Sequence, residues 1–416
     1  MTKEFKDDFT GIEAQNDPDV LEETNEFSIE TEDFSIDDVM TNLSEEDITE
    51  FESSFTKLDY RNMIILPKKP ILAFLRMVES WTKVSIDTYG KALRIESISP
   101  DLVELTYSNK PTLISVKVPN MSGKIIGKHF LRIEVLKRTV AQSSNQVCLV
   151  EEDEGLFIPL STQLVMVETI KLHDSVFNVE QEGKEVSFGS IDVASFSELI
   201  KNFNTISAFS ERAQDKTIKF FSDNTAHVVS PAIRLLANSP FNLNTINFEI
   251  PKTFIESLQI IVNSTLGVDY KITEVKERFY LSVSVGAHVY ILSQISPSQA
   301  NSNGAQSREN TFTTDWDAIK QLSRIVSSFD YYNPVIGLAY RDNEIIAETK
   351  TKDLTHTSHL NFPASSGVRN SLDLKFNAKI ITNILSQDVV VEQASFTEKS
   401  IIFYTQNSEI TVSSNF

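Results

Sequence analysis

The 416-residue chain has very little cysteine, glycine or unbroken apolar sequence. A single cysteine, Cys148, excludes an internal disulfide framework and any multi-cysteine metal site. Only 12 glycines occur, well below the usual ~7%, and there is neither a GxxxxGK[ST] loop nor a GxGxxG turn. Nucleotide-driven chemistry is therefore not expected. No run of ~18 uncharged apolar residues is present, so no transmembrane helix is expected. The opening MTKEFKDDFT is charged from its third residue and does not read as a secretory signal. These absences together point to a cytoplasmic protein that makes no membrane contact.

Acidic charge is abundant but confined. The net charge is −20, yet residues 1–58 hold 19 Asp and Glu against 3 Lys, a net of −16. The remaining 358 residues carry 39 acidic and 35 basic side chains, a net of −4, which can hide an acidic and a basic face. Segment 1–58 is acidic and sparsely apolar, with Phe5, Phe9, Phe27, Phe34, Phe51 and Phe55 spread along it. Its composition predicts a disordered, solubilising tail, or an arm that docks a partner or competes with nucleic acid for a basic surface. One short helix is predicted near its end, with Ser44 as N-cap and Ile48, Phe51 and Phe55 on one face.

From residue 59 the apolar period alternates between 2 and 3.6. In INFEIPKTFIESLQIIVN (246–263), Ile246, Phe248 and Ile250 alternate as in a half-buried strand. After Pro251, the residues Phe254, Ile255, Leu258, Ile261 and Val262 form one helix face, with proline suited to the first turn. A shift of 126 places Leu372, Leu374, Phe376, Ile380, Ile381 and Ile384 on the same pattern in LDLKFNAKIITNILSQ. Residues 270–295 and 389–416 then both read as short antiparallel strands. Upstream, Phe196, Leu199, Ile206 and Phe209 recur as Trp316, Ile319, Val326 and Phe329 at a shift of 120, each helix preceding strand-like sequence. A third, fainter copy has a helix over 66–84, strands over 93–109, a second helix over 129–140 and a hairpin over 147–170. In it, Ile133, Leu136 and Val140 match Ile255, Leu258 and Val262. The organisation read from this is a tail over 1–58 and doubled βαβββ blocks at 59–185, 186–300 and 308–416.

Three tandem doubled blocks resemble the bacterial DNA sliding clamp, the beta subunit of DNA polymerase III. INFEIPKTFIESL and LDLKFNAKIITNIL resemble that family's strand-to-helix entries. FFSDNTAHVVS (220–230) is similar to its T-D-G-H-R-L segment, with Asp223 kept and Asn224 where glycine stands. The long acidic tail departs from the bacterial pattern and suits a diverged, viral member. The resemblance implies an α+β fold of three tandem clamp domains, a head-to-tail homodimeric ring lined by helices, and antiparallel sheets outside. It implies a processivity factor that encircles duplex DNA, tethers a polymerase and is opened by a clamp loader, with no catalysis and no cofactor.

A sliding surface needs scattered cations to meet phosphates without reading bases. The predicted helices offer Arg76, Lys83, Arg132, Lys137, Arg138, Lys201, Lys252, Lys320, Arg324 and Lys379, alongside Glu256 and Asp317; any solvated helix face carries such charges. By resemblance, a partner-peptide pocket would use His227, Val228, Pro240, Leu243, Ile246, Ile410 and Val412; the alternative is that these are core or strand positions. His356 and His359 would point to opposite faces of a strand, so no metal site is expected. Cys148 reads as a small buried hydrophobe, and Glu151, Glu152, Asp153 and Glu154 as a solvated turn. Two other functions fit less well: a clamp-like scaffold for transcription or repair, and a β-rich structural protein.

Overall fold

The computed structural model describes residues 61–85, 91–143, 145–160, 163–177, 183–207, 217–230, 232–243, 246–262, 267–298, 308, 310–329, 334–341, 344–350, 355–361, 373–386 and 390–414. The acidic tail, its predicted helix, Phe209 and Leu372 lie outside the described residues.

The first block runs β1 (Met63–Pro67), α1 (Lys68–Val84), β2 (Ala92–Ser99), β3 (Leu102–Asn109) and β4 (Thr112–Pro119). It continues with β5 (His129–Arg132), α2 (Ile133–Gln142), β6 (Gln146–Glu152), β7 (Gly155–Leu160) and β8 (Gln163–Val167). The second repeats the order: β9 (Lys184–Ser190), α3 (Val193–Ser207), β10 (Thr217–Phe220), β11 (Thr225–Val229) and β12 (Ile233–Asn238). Its other half is β13 (Phe248–Pro251), α4 (Lys252–Val262), β14 (Val268–Val275), β15 (Arg278–Val285) and β16 (Val289–Pro297). The third has α5 (Trp316–Phe329), β17 (Val335–Arg341), β18 (Glu344–Lys350) and β19 (Thr355–Asn361). It ends with β20 (Leu374–Asn377), α6 (Ala378–Ser386), β21 (Gln393–Phe396), β22 (Ser400–Tyr404) and β23 (Ser408–Ser413). Among the described residues the place of its first strand is taken by Phe312, whose N–H donates to the Ala394 carbonyl at 2.8 Å and whose carbonyl accepts from the Ala394 N–H at 2.9 Å.

The 126-residue echo holds, since β13 and β20, and α4 and α6, each begin 126 residues apart. The first block differs from its expected reading. His129–Arg132 is a strand, and the helix begins only at Ile133. β5 and β13 begin 119 residues apart, yet the buried stripes of the helices that follow coincide at a shift of 122, where Ile133, Leu136 and Val140 match Ile255, Leu258 and Val262. Segment 147–170 is likewise three strands instead of a single hairpin.

In each block the two halves exchange their first strands. β1 pairs with β6, and β5 pairs with β2. β9 pairs with β14, β13 with β10, and β20 with β17. Each sheet thus combines three strands of one half with a leading strand of the other. Every helix turns an apolar stripe toward the sheets; on α1 this is Ile71, Phe74, Leu75, Val78 and Trp81, all buried. One continuous core includes the stripes of all six helices and the helix-facing residues of the strands.

Candidate functional site

Successive blocks join in the same way twice. At the first junction β4 pairs antiparallel with β16, bringing Leu113 opposite Leu292, Ile114 opposite Ile291 and Val116 opposite Val289. Above it α1 meets α4: the Trp81 indole Nε1 donates to Ser257 Oγ at 3.0 Å, and Ser257 Oγ donates to the Met77 carbonyl at 2.6 Å. Ser80 Oγ donates to the Thr253 carbonyl at 3.3 Å. At the second junction β12 pairs with β23, placing Ile233 opposite Val412 and Leu235 opposite Ile410. There the Glu198 carboxylate of α3 accepts from Thr405 Oγ1 at 2.6 Å, Asn407 Nδ2 at 2.7 Å and Ser408 Oγ at 3.1 Å. Both junctions therefore use the last strand of a block's first half and the last strand of the next block's second half. Among the described residues, β19 pairs only with β18 and β8 only with β7. These are the two strands left over by that rule.

No protein-family model and no curated protein matches the sequence. Solved structures do. The chain is similar to the DNA polymerase III subunit beta of Pseudomonas aeruginosa, with a TM-score of 0.66 and 12% identity over 84% of this chain and 99% of that one. It is similar to the C. crescentus beta sliding clamp, with a TM-score of 0.67 and 13% identity over 84% and 98%. It is also similar to the Helicobacter pylori beta clamp solved with a DNA ligase peptide, with a TM-score of 0.65 and 12% identity over 84% and 99%. The fold is that of a bacterial sliding clamp.

This clamp fold separates its charge. Among the described residues the six α-helices carry eleven Lys and Arg against five Asp and Glu, although the body as a whole is net negative. The anticipated cations are unequal in placement. Arg76 and Lys201 stand at equivalent positions of α1 and α3, 125 residues apart, where Phe74 and Leu199 are equivalent buried residues. Arg138 and Arg324 are exposed. Lys83 pairs with Glu79 at 3.1 Å, Lys137 with Glu134 at 3.7 Å and Lys252 with Glu256 at 3.6 Å, each along its own helix. Lys320 takes the place held by buried Leu75 in α1 and Ile200 in α3 and is itself half-buried. Lys379 lies in the first turn of α6, its N–H donating to Asn377 Oδ1 at 2.9 Å. Arg132 is the exception: it ends β5 instead of lying within α2, and it sits 3.8 Å from Glu168.

Among the anticipated pocket residues, Ile410 and Val412 lie in β23 at the second junction, and His227 and Val228 lie in β11, which pairs with β12. Val228, Leu235 and Ile410 align across β11, β12 and β23. Leu243 is held by its N–H donating to Asn224 Oδ1 at 2.9 Å, and Asn224 adopts the left-handed φ of 61° that glycine commonly supplies. All seven residues are buried. His227 lies 4.5 Å from the Phe221 ring, and burial, reinforced by Arg234, pushes its pKa down to about 4 against the opposing pull of Asp223.

Two features were not anticipated. Glu151 is not part of a solvated turn: its carboxylate accepts from His129 Nε2 at 2.6 Å and from the Gly127 N–H at 3.0 Å, pinning the loop before β5. Glu198 carried no local signal either, because its partners lie more than 200 residues away. Cys148 is buried in β6, and burial pushes its thiol up to about 12. Among the described residues no group of His, Cys, Asp and Glu could hold a metal ion, and no helix is long and apolar enough to cross a membrane. The side chains of His356 and His359 lie outside the described residues.

Proposed function

We propose that the chain is a sliding clamp: two copies close head to tail around duplex DNA and tether a polymerase to it without catalysing a reaction. The observation that carries this is the junction rule. Two junctions are satisfied within the chain, and β8 and β19 are the strands a third would require. The helices obey the same rule. α1 packs on α4 and α3 on α6, leaving α5 and α2 for the equivalent contact. Ile325 of α5 stands where Ser80 of α1 crosses to α4, and it is 46% exposed; Phe329, one turn on, is 55% exposed. Val165 of β8 is exposed as well. Apolar side chains exposed on both free ends fit a contact between copies.

In this reading the domains span 59–185, 186–300 and 308–416, and the helix cations face DNA phosphates. An apolar peptide of a polymerase, a loader or another DNA-processing enzyme docks over the second junction, near His227, Val228, Pro240, Leu243, Ile246, Ile410 and Val412. The protein acts in the cytoplasm, that of a host cell if the source is viral. The test is oligomeric state by native mass spectrometry at micromolar concentration, together with retention on nicked circular DNA. A dimer that stays on circles and slides off linear molecules is expected; a strict monomer refutes the reading.

A further inference from the structure

The outer face of the first junction carries a groove of about 360 Å³. Its shape follows from side-chain size along one row of the sheet. Arg94 of β2, Thr106 of β3, Ser115 of β4 and Tyr290 of β16 stand opposite one another in turn. Two small side chains between two large ones leave a trough. Phe177, whose ring lies 5.7 Å from the Arg94 guanidinium, walls it on one side, and the turn at 286–288 walls it on another. At the second junction the equivalent row is Lys219, His227, Leu236 and Glu409, with larger side chains in the two middle places. Clefts of this size where two compact units join are frequent ligand sites.

The charges in the groove do not cancel. The Glu104 carboxylate is already engaged, accepting from Arg94 Nη2 and from Ser115 Oγ, both at 2.8 Å. Lys117 and His288 meet across the junction, the Lys117 N–H donating to the His288 carbonyl at 2.8 Å, and both border the groove. Among the described residues neither side chain has a hydrogen bond or an ion pair, although both are half-buried. An anionic group placed between them would gain charge-assisted hydrogen bonds. We propose that the groove binds a short segment of a partner protein through an Asp or Glu side chain. The carboxylate meets Lys117 and His288, and an adjoining apolar side chain lies against the Tyr290 ring. A nucleic-acid strand fits less well, because it needs cations in a row and would meet Glu96 and Glu104 beside Arg94. The site is separate from the pocket over the second junction and does not depend on ring closure or on DNA.

Selection of random phage-displayed peptides on the full-length protein tests it. Peptides retained by the unaltered chain but lost on Lys117→Gln are expected to carry Asp or Glu beside an aromatic or aliphatic residue. Synthetic copies should bind Lys117→Gln at least about tenfold more weakly, because a charge-assisted bond is lost, and should lose about as much when their acid is changed to the amide. Ser284→Trp, which fills the groove from β15 without touching either cation, should weaken them to a similar degree. Recovery of no such peptides overturns the proposal, as does binding that both variants leave intact. Release of the bound peptide by millimolar inorganic phosphate or by single-stranded DNA also overturns it, by assigning the groove to a free anion or to nucleic acid.

Discussion

Replacing Ile325 and Phe329 together by alanine should weaken the association of two copies far more than it weakens the fold. Both side chains are about half exposed in the single chain, at 46% and 55%. Complete burial of such a side chain is worth about 2–3 kcal/mol. Covering the exposed halves is then worth about 1 kcal/mol for Ile325 and about 1.5 for Phe329, close to a hundredfold in affinity per junction. A two-membered ring closes two junctions, so the dissociation constant should rise by about three to four orders of magnitude. Sedimentation velocity from nanomolar to micromolar concentration reads this directly. Val390→Ala provides the control, because Val390 is 76% exposed and belongs to neither free end. A double variant that dissociates no more readily than the unaltered protein or the control would refute the junction rule as the basis of assembly.

Other outcomes are more local. Arg76→Ala combined with Lys201→Ala should lower the salt dependence of duplex DNA binding by about two units of slope, roughly 0.9 per lost phosphate contact, without changing sequence preference. His227 should make the protein acid-sensitive. The unfolded imidazole takes up a proton below about pH 6.5 and the buried one only near 4, so stability falls as pH drops through that window. The loss approaches about 3 kcal/mol at its lower end, and His227→Gln should remove that part of the slope in urea titrations. The β14–β15 turn holds Lys276 and Glu277 at φ of 50° and 65°, both left-handed. Glu277→Gly should therefore stabilise this hairpin by about 1 kcal/mol, read as slower exchange of its strand amides.

The parts of this fold that can be read from sequence are those with a short-range signature. Pro251 between alternating Phe248, Ile250 and the stripe beginning at Phe254 marks a strand-to-helix junction, and the 126-residue shift repeats it without proline. HFLR fails because His129 and Arg132 interrupt the apolar alternation, so strand and helix merge into one apparent helix. Phe312 fails because a single bridge leaves no period to detect. The junctions fail for a different reason: whether β4 meets β16 depends on register between residues about 175 apart, to which local propensity is blind. Separation in sequence also hides Glu198, whose donors lie more than 200 residues away, and Glu151, whose donors lie 22 and 24 residues back; both are ordinary acids until their donors are brought in. The anticipated cations do fall on or beside the helices. Only the folded chain shows that Arg76 and Lys201 share a position while Lys320 is drawn toward the core.

The exchange of leading strands between halves also constrains how this chain can be made. While the ribosome is still synthesising β4, the sheet containing β2 lacks β5 and β1 has no β6 beside it. Neither half can complete its sheets until the other has emerged, so each block commits to its fold late, as a pair. A nascent half on one ribosome would present the same vacancies as a half on the next, and crowded polysomes are where mispairing between chains would begin.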